Sequence, residues 1–474
     1  MEKTRSQQQQ LFRVSGTANQ KREVDAKWAW TEAAVWTERM VDALEGGVKG
    51  GKWHSLIDKV YAERTLVAAW QRVERNGGSE GVDGERIKDF KRIAGTQLGN
   101  LNRLLQNQQY EPMPIRRVYI PKLGSHELRP LGIPTVRDRI VQTALRSVIE
   151  PIYENDFSDH SYGFRPGRSA KDALRHVQRL LDEGRSWVVD VDITRYFDTI
   201  PHAALMGEVQ KKIADGRVLD LIERYLKQEV LEATPSWETA EVGTPQGAVI
   251  SPLLANIYLH PVDETMMAEG YEMVRYADDC VVMCHTQEEA ERALARLREL
   301  MRSRELTLHH EKTKIVDTSV AGGFDFLGYH FELGKRIPRK KSMQKFKDKI
   351  RSETRRANGH SMSFIITALN RVLRGWFEYF KHCHHRVFTT IDGWTRSRLR
   401  NILRARRGRR GVARGADHQR WPNAYFRRLG LFTLAEAHAQ LIHSLHETHP
   451  LESRMREIRT YGSEGGGAQL PLPL

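Results

Sequence analysis

Two adjacent aspartates, Asp278 and Asp279, lie between apolar residues in the stretch 274–283. The apolar run Val281–Met283 is typical of a short buried strand, and another apolar run ends just before the acids. This pattern predicts a hairpin with both acids at its turn. Carboxylates held side by side repel one another and favour a nearby cation. Taken alone, such a pair is usually a solvated turn, so its chemistry depends on what else the chain brings to it.

A second acidic segment upstream changes that interpretation. Residues 187–192 alternate, with Val189 and Val191 on one face of a predicted strand and Asp190 and Asp192 on the other. Acids on so apolar a strand are costly to bury unless they are paired or bind a metal ion. Three carboxylates from two strands can hold two divalent ions about 4 Å apart, an arrangement that stabilises the attacking and leaving oxygens in phosphoryl transfer. Mg²⁺ prefers such carboxylates combined with substrate phosphates.

The elements that must position these acids belong to a long and basic chain. Its 474 residues suggest two to four domains. The net charge of +15 and the isoelectric point near 9.7 indicate a polyanionic partner. With no run of 18 apolar residues and no apolar signal core at the start, we expect a soluble intracellular protein with no membrane partner. Three cysteines predict a reduced compartment and no disulfide framework.

Composition and periodicity divide the chain into five segments. Residues 286–304 have the clearest helical pattern, and helices are also predicted at 137–154 and 203–230. The Trp-rich N-terminal segment, which is broken by glycines at 46–51, is either an RNA-contacting extension or a helical pair that covers the next domain. In chain order the predicted segments are a flexible polar arm (1–25), a helical N-terminal extension (26–79), a mixed α+β domain (80–333), a basic helical domain (334–440), and a C-terminal helix with a disordered tail (441–474).

Positive charge is concentrated in one region. Residues 335–430 contain 27 lysines and arginines and 5 acids, a net charge of +22 that exceeds the +15 of the whole chain. Because arginine suits phosphate and guanine recognition, this bias predicts a surface that binds RNA or DNA. The aromatic run at 376–380 is interpreted as helix core rather than as a stacking surface. The candidate nucleic-acid contacts in this region are Lys340, Lys341, Arg396, Arg398, Arg400, Arg404, Arg406, Arg407, Arg409 and Arg410.

Motifs spread over residues 80–440 resemble, in type and in order, those of group II intron-encoded proteins, which combine a reverse transcriptase with a maturase. The ordered set is specific, although each motif alone is only moderately so. The polymerase-type motifs are GVDG (81–84), YIPK (119–122), RPLGIPT (129–135), SYGFRPGR (161–168), GTPQGAVISP (243–252), YADD (276–279), HEKTK (310–314) and FLGY (326–329). The maturase-type motifs are GWFEYF (375–380) and QRWPNAYF (419–426).

The resemblance implies an α+β right-hand polymerase, with fingers and a palm built on an antiparallel sheet, followed by an α-helical thumb and maturase domain. The implied reaction is RNA-templated addition of deoxynucleotides to a primer 3′-OH with two Mg²⁺ ions. The implied partners are the group II intron RNA, whose splicing the protein assists, an RNA template with a DNA or RNA primer, and target DNA. We expect a bacterial cytosolic protein that works at the nucleoid.

The resemblance also implies roles for individual residues. Asp192, Asp278, Asp279 and the backbone carbonyl of Ile193 correspond to the metal ligands. The positions that correspond to the nucleotide-binding site are Lys122, Arg129, Phe197, Gln246 and Gly247, of which the first two would hold the triphosphate and the aromatic ring would lie beneath the sugar. Arg165 and Arg168 are expected to contact the template or primer backbone.

Several alternatives stay open. Phe197 could be a core residue, the 243–247 segment a plain surface turn, and Lys312 or Lys314 either a proton donor to pyrophosphate or a structural ion pair. The chain ends soon after the maturase-type motifs, which predicts a form without an H-N-H endonuclease and a primer made elsewhere. A reverse transcriptase adapted to repair or defence, and a splicing cofactor with an inactive polymerase, are the rival functions. No zinc site is predicted at the histidines of 309–310 and 382–385.

Overall fold

The computed structural model describes residues 27–121, 128–231, 237–238, 243–244 and 247–444. The polar arm at 1–25 and the tail after residue 444 lie outside these residues. The chain forms two compact units, Met1–Asp317 and Thr318–Leu474. Residue 334, where the basic composition begins, lies in a hairpin turn of the second unit. In the part of the chain that is described, no helix has the length and apolar character needed to cross a membrane.

Strands and helices are mixed in the first unit, whereas the second unit is mostly helical. The strands are β1 (Ile115–Pro121), β2 (Leu128–Ile133), β3 (Trp187–Asp192), β4 (Val230–Leu231), β5 (Trp237–Glu238), β6 (Glu272–Tyr276), β7 (Asp279–Cys284), β8 (Lys314–Asp317), β9 (Phe324–Phe326), β10 (Tyr329–Glu332) and β11 (Lys335–Pro338). The helices of the first unit are α1 (Glu38–Gly46), α2 (Ile57–Tyr61), α3 (Glu63–Asn76), α4 (Ile87–Arg92), α5 (Ala94–Gln106), α6 (Val136–Glu154), α7 (Ala170–Asp182), α8 (Tyr196–Thr199), α9 (His202–Gln210), α10 (Gly216–Leu226), α11 (Ser251–Ala268) and α12 (Gln287–Ser303).

The acidic strands form the antiparallel sheet that the sequence predicts. Its strand order is β6-β7-β3-β8, and all three of its strand pairings are antiparallel. Its centre is apolar because Val188, Val189, Val281 and Val282 are fully buried. A second sheet, of order β2-β1-β4-β5, contains the β1–β2 hairpin, which carries Arg129 opposite Ile120.

Helices cover the antiparallel sheet and confirm two of the predicted helical segments. Helix α6 begins where the Thr135 side chain accepts a hydrogen bond from the backbone N–H of Asp138, and α12 begins in the same way at Thr286. The segment 203–230, which is predicted to be helical, is divided in the structure. It is two helices, α9 and α10, because Asp215 caps a new helix by accepting from two backbone N–H groups.

The N-terminal extension packs into the core of the first unit. Trp28 and Trp36 are 4% exposed and belong to the same hydrophobic cluster as α6 and α11. The indole Nε1 of Trp36 donates to the backbone carbonyl of Ser147, at 2.8 Å. These contacts favour the interpretation in which the extension covers the next domain over the one in which it contacts RNA. The predicted break is present, since α1 ends at Gly46 and a single 3₁₀ turn spans Lys49–Gly51.

The second unit combines a small sheet with helices. Its three strands pair in the order β11-β10-β9. The aromatic residues of its longest apolar helix form core, as predicted: Trp376 stacks on Phe346 with ring centroids 4.3 Å apart, and Phe377 and Phe380 are buried. Its helices are α13 (Lys340–Glu353), α14 (Met362–Phe380), α15 (Arg386–Arg406), α16 (Gly415–Arg420), α17 (Asn423–Arg428) and a helix at 434–444.

Candidate active site

The three aspartates meet at one end of the antiparallel sheet. Asp192 is the last residue of β3 and pairs in register with Asp279, the first residue of β7. Asp278 lies in the tight turn between β6 and β7, directly after Ala277, which has a positive φ of 60°. The register of β3 with β7 and the turn before β7 therefore place three carboxylates at the same end of the sheet. This group, Asp192, Asp278 and Asp279, is called the acidic edge below.

Burial and nearby charged groups shift the pKa of Asp278. Burial raises the pKa of Asp278, and the charge of Asp192 raises it further, whereas the charges of Arg129 and Arg275 act in the opposite direction. Arg129 on β2 is therefore close enough to act on the aspartate turn. A cation beside an acidic edge is the arrangement that phosphate groups require on entering it.

Lys312 makes a direct ion pair with the acidic edge. Its Nζ lies 3.0 Å from Oδ2 of Asp192. The backbone around Asp192 is also fixed, because its carbonyl accepts from the N–H of His309 at 2.8 Å. Ile193 follows with 5% exposure and bridges to Leu308 in antiparallel register. Lys314 lies in β8, where its Cα partner is Asp190.

The donor set at this edge suits Mg²⁺. Carboxylate and carbonyl oxygens are the hard ligands that Mg²⁺ prefers, and a bound cation would offset the cost of burying the charge of Asp278. The aspartate oxygens are not drawn together as tightly as the ligand atoms of His160, His176 and Glu272, since Asp192 is engaged with Lys312.

Two further positions from the motifs, Phe197 and Gly247, make close contacts within the described residues of the first unit. Phe197 is partly buried and packs edge-on against Phe164, with ring centroids 6.2 Å apart. Its backbone carbonyl accepts from the N–H of Thr244 at 2.6 Å. Gly247 has a φ of +109°, and a Cβ there would lie 2.3 Å from the carbonyl oxygen of Gly132 in β2. Only glycine fits this close approach. Two predicted contacts, Lys122 and Gln246, lie outside the described residues.

Arg275, to which the sequence motifs assign no role, holds the aspartate turn. Its guanidinium is 2% exposed and forms a two-pronged ion pair with Asp263, at 2.8 and 2.5 Å. Its Nη1 donates to the carbonyl of Ala277 at 2.9 Å and to Oδ1 of Asn256 at 3.0 Å. The signal in the sequence was an arginine within an apolar strand and an aspartate within an apolar helix, since buried charges are normally paired.

The same network holds the adjoining SYGF segment. The amide of Asn256 donates to the carbonyl of Gly163 at 2.8 Å. A Cβ on Gly163 would lie 2.2 Å from the backbone nitrogen of Ala277, so the two backbones touch. Arg275 and Asn256 therefore fix the turn of Asp278 against the segment that carries Phe164.

The predicted template contact at Arg165 is wrong. Its side chain is 2% exposed and ion-paired with Glu154, and its Nη1 donates to the carbonyls of Ser158 and Ser161. Burial lowers the pKa of Arg165, which its pairing with Glu154 opposes. Arg168 remains partly exposed, and it pairs with the exposed carboxylate of Asp159 at 2.5 Å.

The arginines of the second unit divide into structural and exposed groups. The structural group donates to neighbouring backbone or side-chain oxygens: Arg398 to Thr354, Arg400 to Trp421 and Asn423, and Arg404 to Asp417. The predicted nucleic-acid contact is therefore wrong for Arg400, which is 4% exposed. Arg396 is half-buried. The exposed candidates are Lys340, Lys341, Arg406, Arg407, Arg409 and Arg410.

Comparison with known protein families covers both units. Residues 120–331 match the model of the reverse transcriptase (RNA-dependent DNA polymerase) family, and residues 343–421 match the model of the group II intron maturase-specific domain. The two matched ranges contain the acidic sheet edge and most of the basic helical region, respectively.

Individual proteins and solved structures are similar to parts of the chain. Protein YkfC of Escherichia coli K12 is 37% identical over 288 residues, which are 52% of this chain and 74% of that protein. The group II intron-encoded protein LtrA of Lactococcus lactis subsp. cremoris is 45% identical over 165 residues, which are 34% of this chain and 27% of LtrA. Among solved structures, a partial Cas6-RT-Cas1–Cas2 complex has 23% identity and a TM-score of 0.35, over 52% of this chain and 43% of that one.

Proposed function

The chain belongs to the family of group II intron-encoded reverse transcriptases with a maturase-specific domain, and from this premise we propose that it copies RNA into DNA. It extends a primer 3′-OH with deoxynucleotides and releases pyrophosphate. The observation that carries this proposal is the acidic sheet edge, where Asp192 lies opposite Asp279 and Asp278 occupies the adjoining turn. The presence of all three carboxylates at one end of the sheet argues against a polymerase that lacks its catalytic residues.

The residues of the site divide the work of this reaction. Magnesium held by the three aspartates and the carbonyl of Ile193 would stabilise charge on the reacting phosphate and lower the pKa of the attacking hydroxyl. Arg129, together with Lys122, binds the triphosphate and offsets its charge. Phe197 lies beneath the incoming sugar, where its ring would clash with a 2′-OH and so select deoxynucleotides. The backbone of Gly247, with Gln246, positions the nucleotide against β2.

Lys312 is the better candidate of the two lysines for a proton donor. Its side chain already contacts Asp192, whereas Lys314 lies on β8 in register with Asp190 rather than with one of the three aspartates. We expect Lys312 to exchange its carboxylate partner for the leaving pyrophosphate. Lys312→Met should then slow nucleotide addition at saturating substrate far more than Lys314→Met. Equal rates for the two variants, measured by single-turnover extension, would exclude this role.

The basic unit provides the second activity in this proposal. Its exposed lysines and arginines bind the folded intron RNA and stabilise the form that splices itself, without chemistry of their own. In right-hand terms, residues 80–333 form fingers and palm, and residues 334–440 form the thumb and maturase domain. Intron mobility then proceeds by target-primed synthesis, with intron RNA as template and target DNA as partner, in the bacterial cytosol at the nucleoid.

The experiment is primer extension on an RNA template with deoxynucleotides and Mg²⁺, run beside Asp278→Ala. We expect metal-dependent extension by the unsubstituted chain and none by the variant. Asp182→Ala, which removes an exposed aspartate from α7, is the matched control and should extend normally. No extension by the unsubstituted chain, combined with tight binding to intron RNA, would instead indicate a splicing cofactor.

A splicing assay separates the two activities. Asp278→Ala/Asp279→Ala should abolish cDNA synthesis and leave assisted splicing of the intron RNA intact. Loss of splicing in the folded double variant would contradict the assignment of splicing to the basic unit.

A further inference from the structure

A second cluster of ligand-type side chains lies in the first unit, at the end of β6 away from the aspartate turn. It joins Glu272, the first residue of β6, to His176 on α7 and to His160. Oε2 of Glu272 lies 3.6 Å from Nδ1 of His160 and 4.0 Å from Nε2 of His176. Within the described residues, this is the one group of at least three His, Cys, Asp or Glu side chains whose ligand atoms all lie within 4.8 Å.

Each of the three facing atoms is buried and makes no hydrogen bond with the described residues. Buried polar atoms without partners are rare and costly, so three that face one another call for a common partner. The side chain of His176 is 4% exposed, and those of His160 and Glu272 are 23% and 30% exposed. The cluster is thus closed around its ligand atoms and still reachable from solvent along one side.

The surroundings of His176 suit it to bind a cation through Nε2. Its Nδ1 lies 2.9 Å from the hydroxyl of Tyr162. A ligand histidine commonly donates its other N–H to such an oxygen, which fixes the orientation of the ring.

We propose that His160, His176 and Glu272 bind one divalent transition-metal ion, with zinc as the best match. Two imidazole nitrogens and one carboxylate oxygen are a recurrent zinc set, in which water takes the fourth position. Ligands at normal zinc distances are about 3.4 Å apart in a tetrahedron. The two separations from Glu272, 3.6 and 4.0 Å, are close to that value, and all the ligand atoms lie within 4.8 Å of one another. Nitrogen donors also distinguish this site from the all-oxygen acidic edge, which favours Mg²⁺.

The metal would join three elements behind the aspartate turn. The backbone of His160 accepts from the N–H of Arg275 at 2.9 Å, and the N–H of Tyr162 donates back to Arg275 at 2.8 Å. This segment runs beside β6 up to Gly163, which touches Ala277. The ion would therefore stabilise the segment that packs against the aspartate turn, and it would take no part in nucleotide addition. The inference goes beyond the proposed function and does not depend on it.

Zinc titration of the chelator-stripped full chain tests the site. In the presence of millimolar Mg²⁺, we expect one Zn²⁺ per chain, a rise in Tm, and a visible Co²⁺ spectrum typical of mixed nitrogen and oxygen ligands. Glu272→Gln, which keeps the size of the side chain, should weaken zinc binding by more than about 10-fold, as should His160→Asn. Circular dichroism establishes that each variant is folded.

Two controls locate the ion. Asp192→Asn/Asp279→Asn removes the oxygen ligands of the acidic edge and should leave zinc binding unchanged. His330→Gln removes a histidine that faces two acids, Asp325 and Glu332, in the second unit, and this variant should also bind zinc normally. Absence of stoichiometric zinc binding, or unchanged binding in folded Glu272→Gln, would overturn the proposal and leave His160 and Glu272 as a simple ion pair.

Discussion

The acidic edge of the first unit and the arginine-rich helix end of the second use charge in opposite ways. At the acidic edge, a few charges stand at positions fixed by a buried arginine and by strand register. At the end of α15, charge is abundant, and exposed arginines such as Arg409 and Arg410 follow one another along the chain. The first region depends on the exact positions of its charges, and the second depends on how many charges it carries. Single substitutions should therefore have all-or-none effects in the first region and graded effects in the second.

The largest effect is expected from removing one carboxylate of the acidic edge. Asp279→Asn keeps the size of the side chain and removes a charged ligand, so extension should fall by more than about 1000-fold, beyond the 10- to 100-fold typical of residues behind a metal ligand. Binding of intron RNA should not change. Single-turnover extension measures the first property, and filter binding measures the second. An extension rate within 10-fold of normal would show that activity does not depend on each carboxylate of the acidic edge.

The next effect tests the support of the turn. Arg275→Met leaves Asp263 buried without its partner, which should lower the free energy of unfolding by about 3–5 kcal/mol. Denaturant unfolding of the full chain measures this loss.

The double variant Arg275→Met/Asp263→Leu separates stability from positioning. It should recover much of the stability, because a buried ion pair can be replaced by apolar residues at little cost. Extension should stay low, since the carbonyl of Ala277 has still lost its donor. Full activity of this variant would mean that the turn needs no help from Arg275.

A smaller effect distinguishes buried from exposed arginines in the second unit. Arg400→Ala removes hydrogen bonds to Trp421 and Asn423, so the free energy of unfolding should fall by about 2–3 kcal/mol. Arg409→Ala, the matched change at an exposed site, should stay within about 0.5 kcal/mol. Thermal unfolding compares the two, and equal losses would remove the distinction between the groups.

The smallest effects are expected in RNA binding. Arg409→Ala/Arg410→Ala should weaken binding of intron RNA and reduce the slope of log affinity against log salt by about 0.7–0.9 for each phosphate that the variant no longer neutralises. The control is Arg92→Ala, which removes an exposed arginine from the first unit. An unchanged salt slope in the double variant would place the RNA surface elsewhere.

The acidic edge could be predicted from the sequence, because the strand pattern and the turn restrict the positions of Asp192, Asp278 and Asp279. Register then follows from which face is apolar, so the sheet could be predicted with its acids at one end. Burial of the longer helices was likewise readable from periodicity. The break within 203–230 could not be predicted in this way, because the helical pattern is continuous there. The break arises from a local hydrogen bond, in which the side chain of Asp215 caps a new helix.

Charged side chains were harder to assign. Arg165 and Arg400 look like nucleic-acid contacts in sequence, and both are buried because oxygens from elsewhere in their unit meet them. No sequence motif assigned a role to Arg275, although its side chain is buried and supports the aspartate turn. The cluster of His160, His176 and Glu272 could not be found from spacing, since its members come from three elements with no fixed separation. Exposure of a charge is a property of the assembled fold.

The close backbone contact between Gly163 and Ala277 has a consequence for synthesis on the ribosome. Asn256 reaches back 93 residues to hold Gly163, and Lys312 reaches back 120 residues to Asp192. Such distant pairings form late, because the intervening chain must first be ordered. A nascent chain that stops before Lys312 therefore lacks both this lysine and β8, which is an edge strand of the sheet. Polymerase competence should arrive in a single late step, after almost the whole first unit has left the exit tunnel.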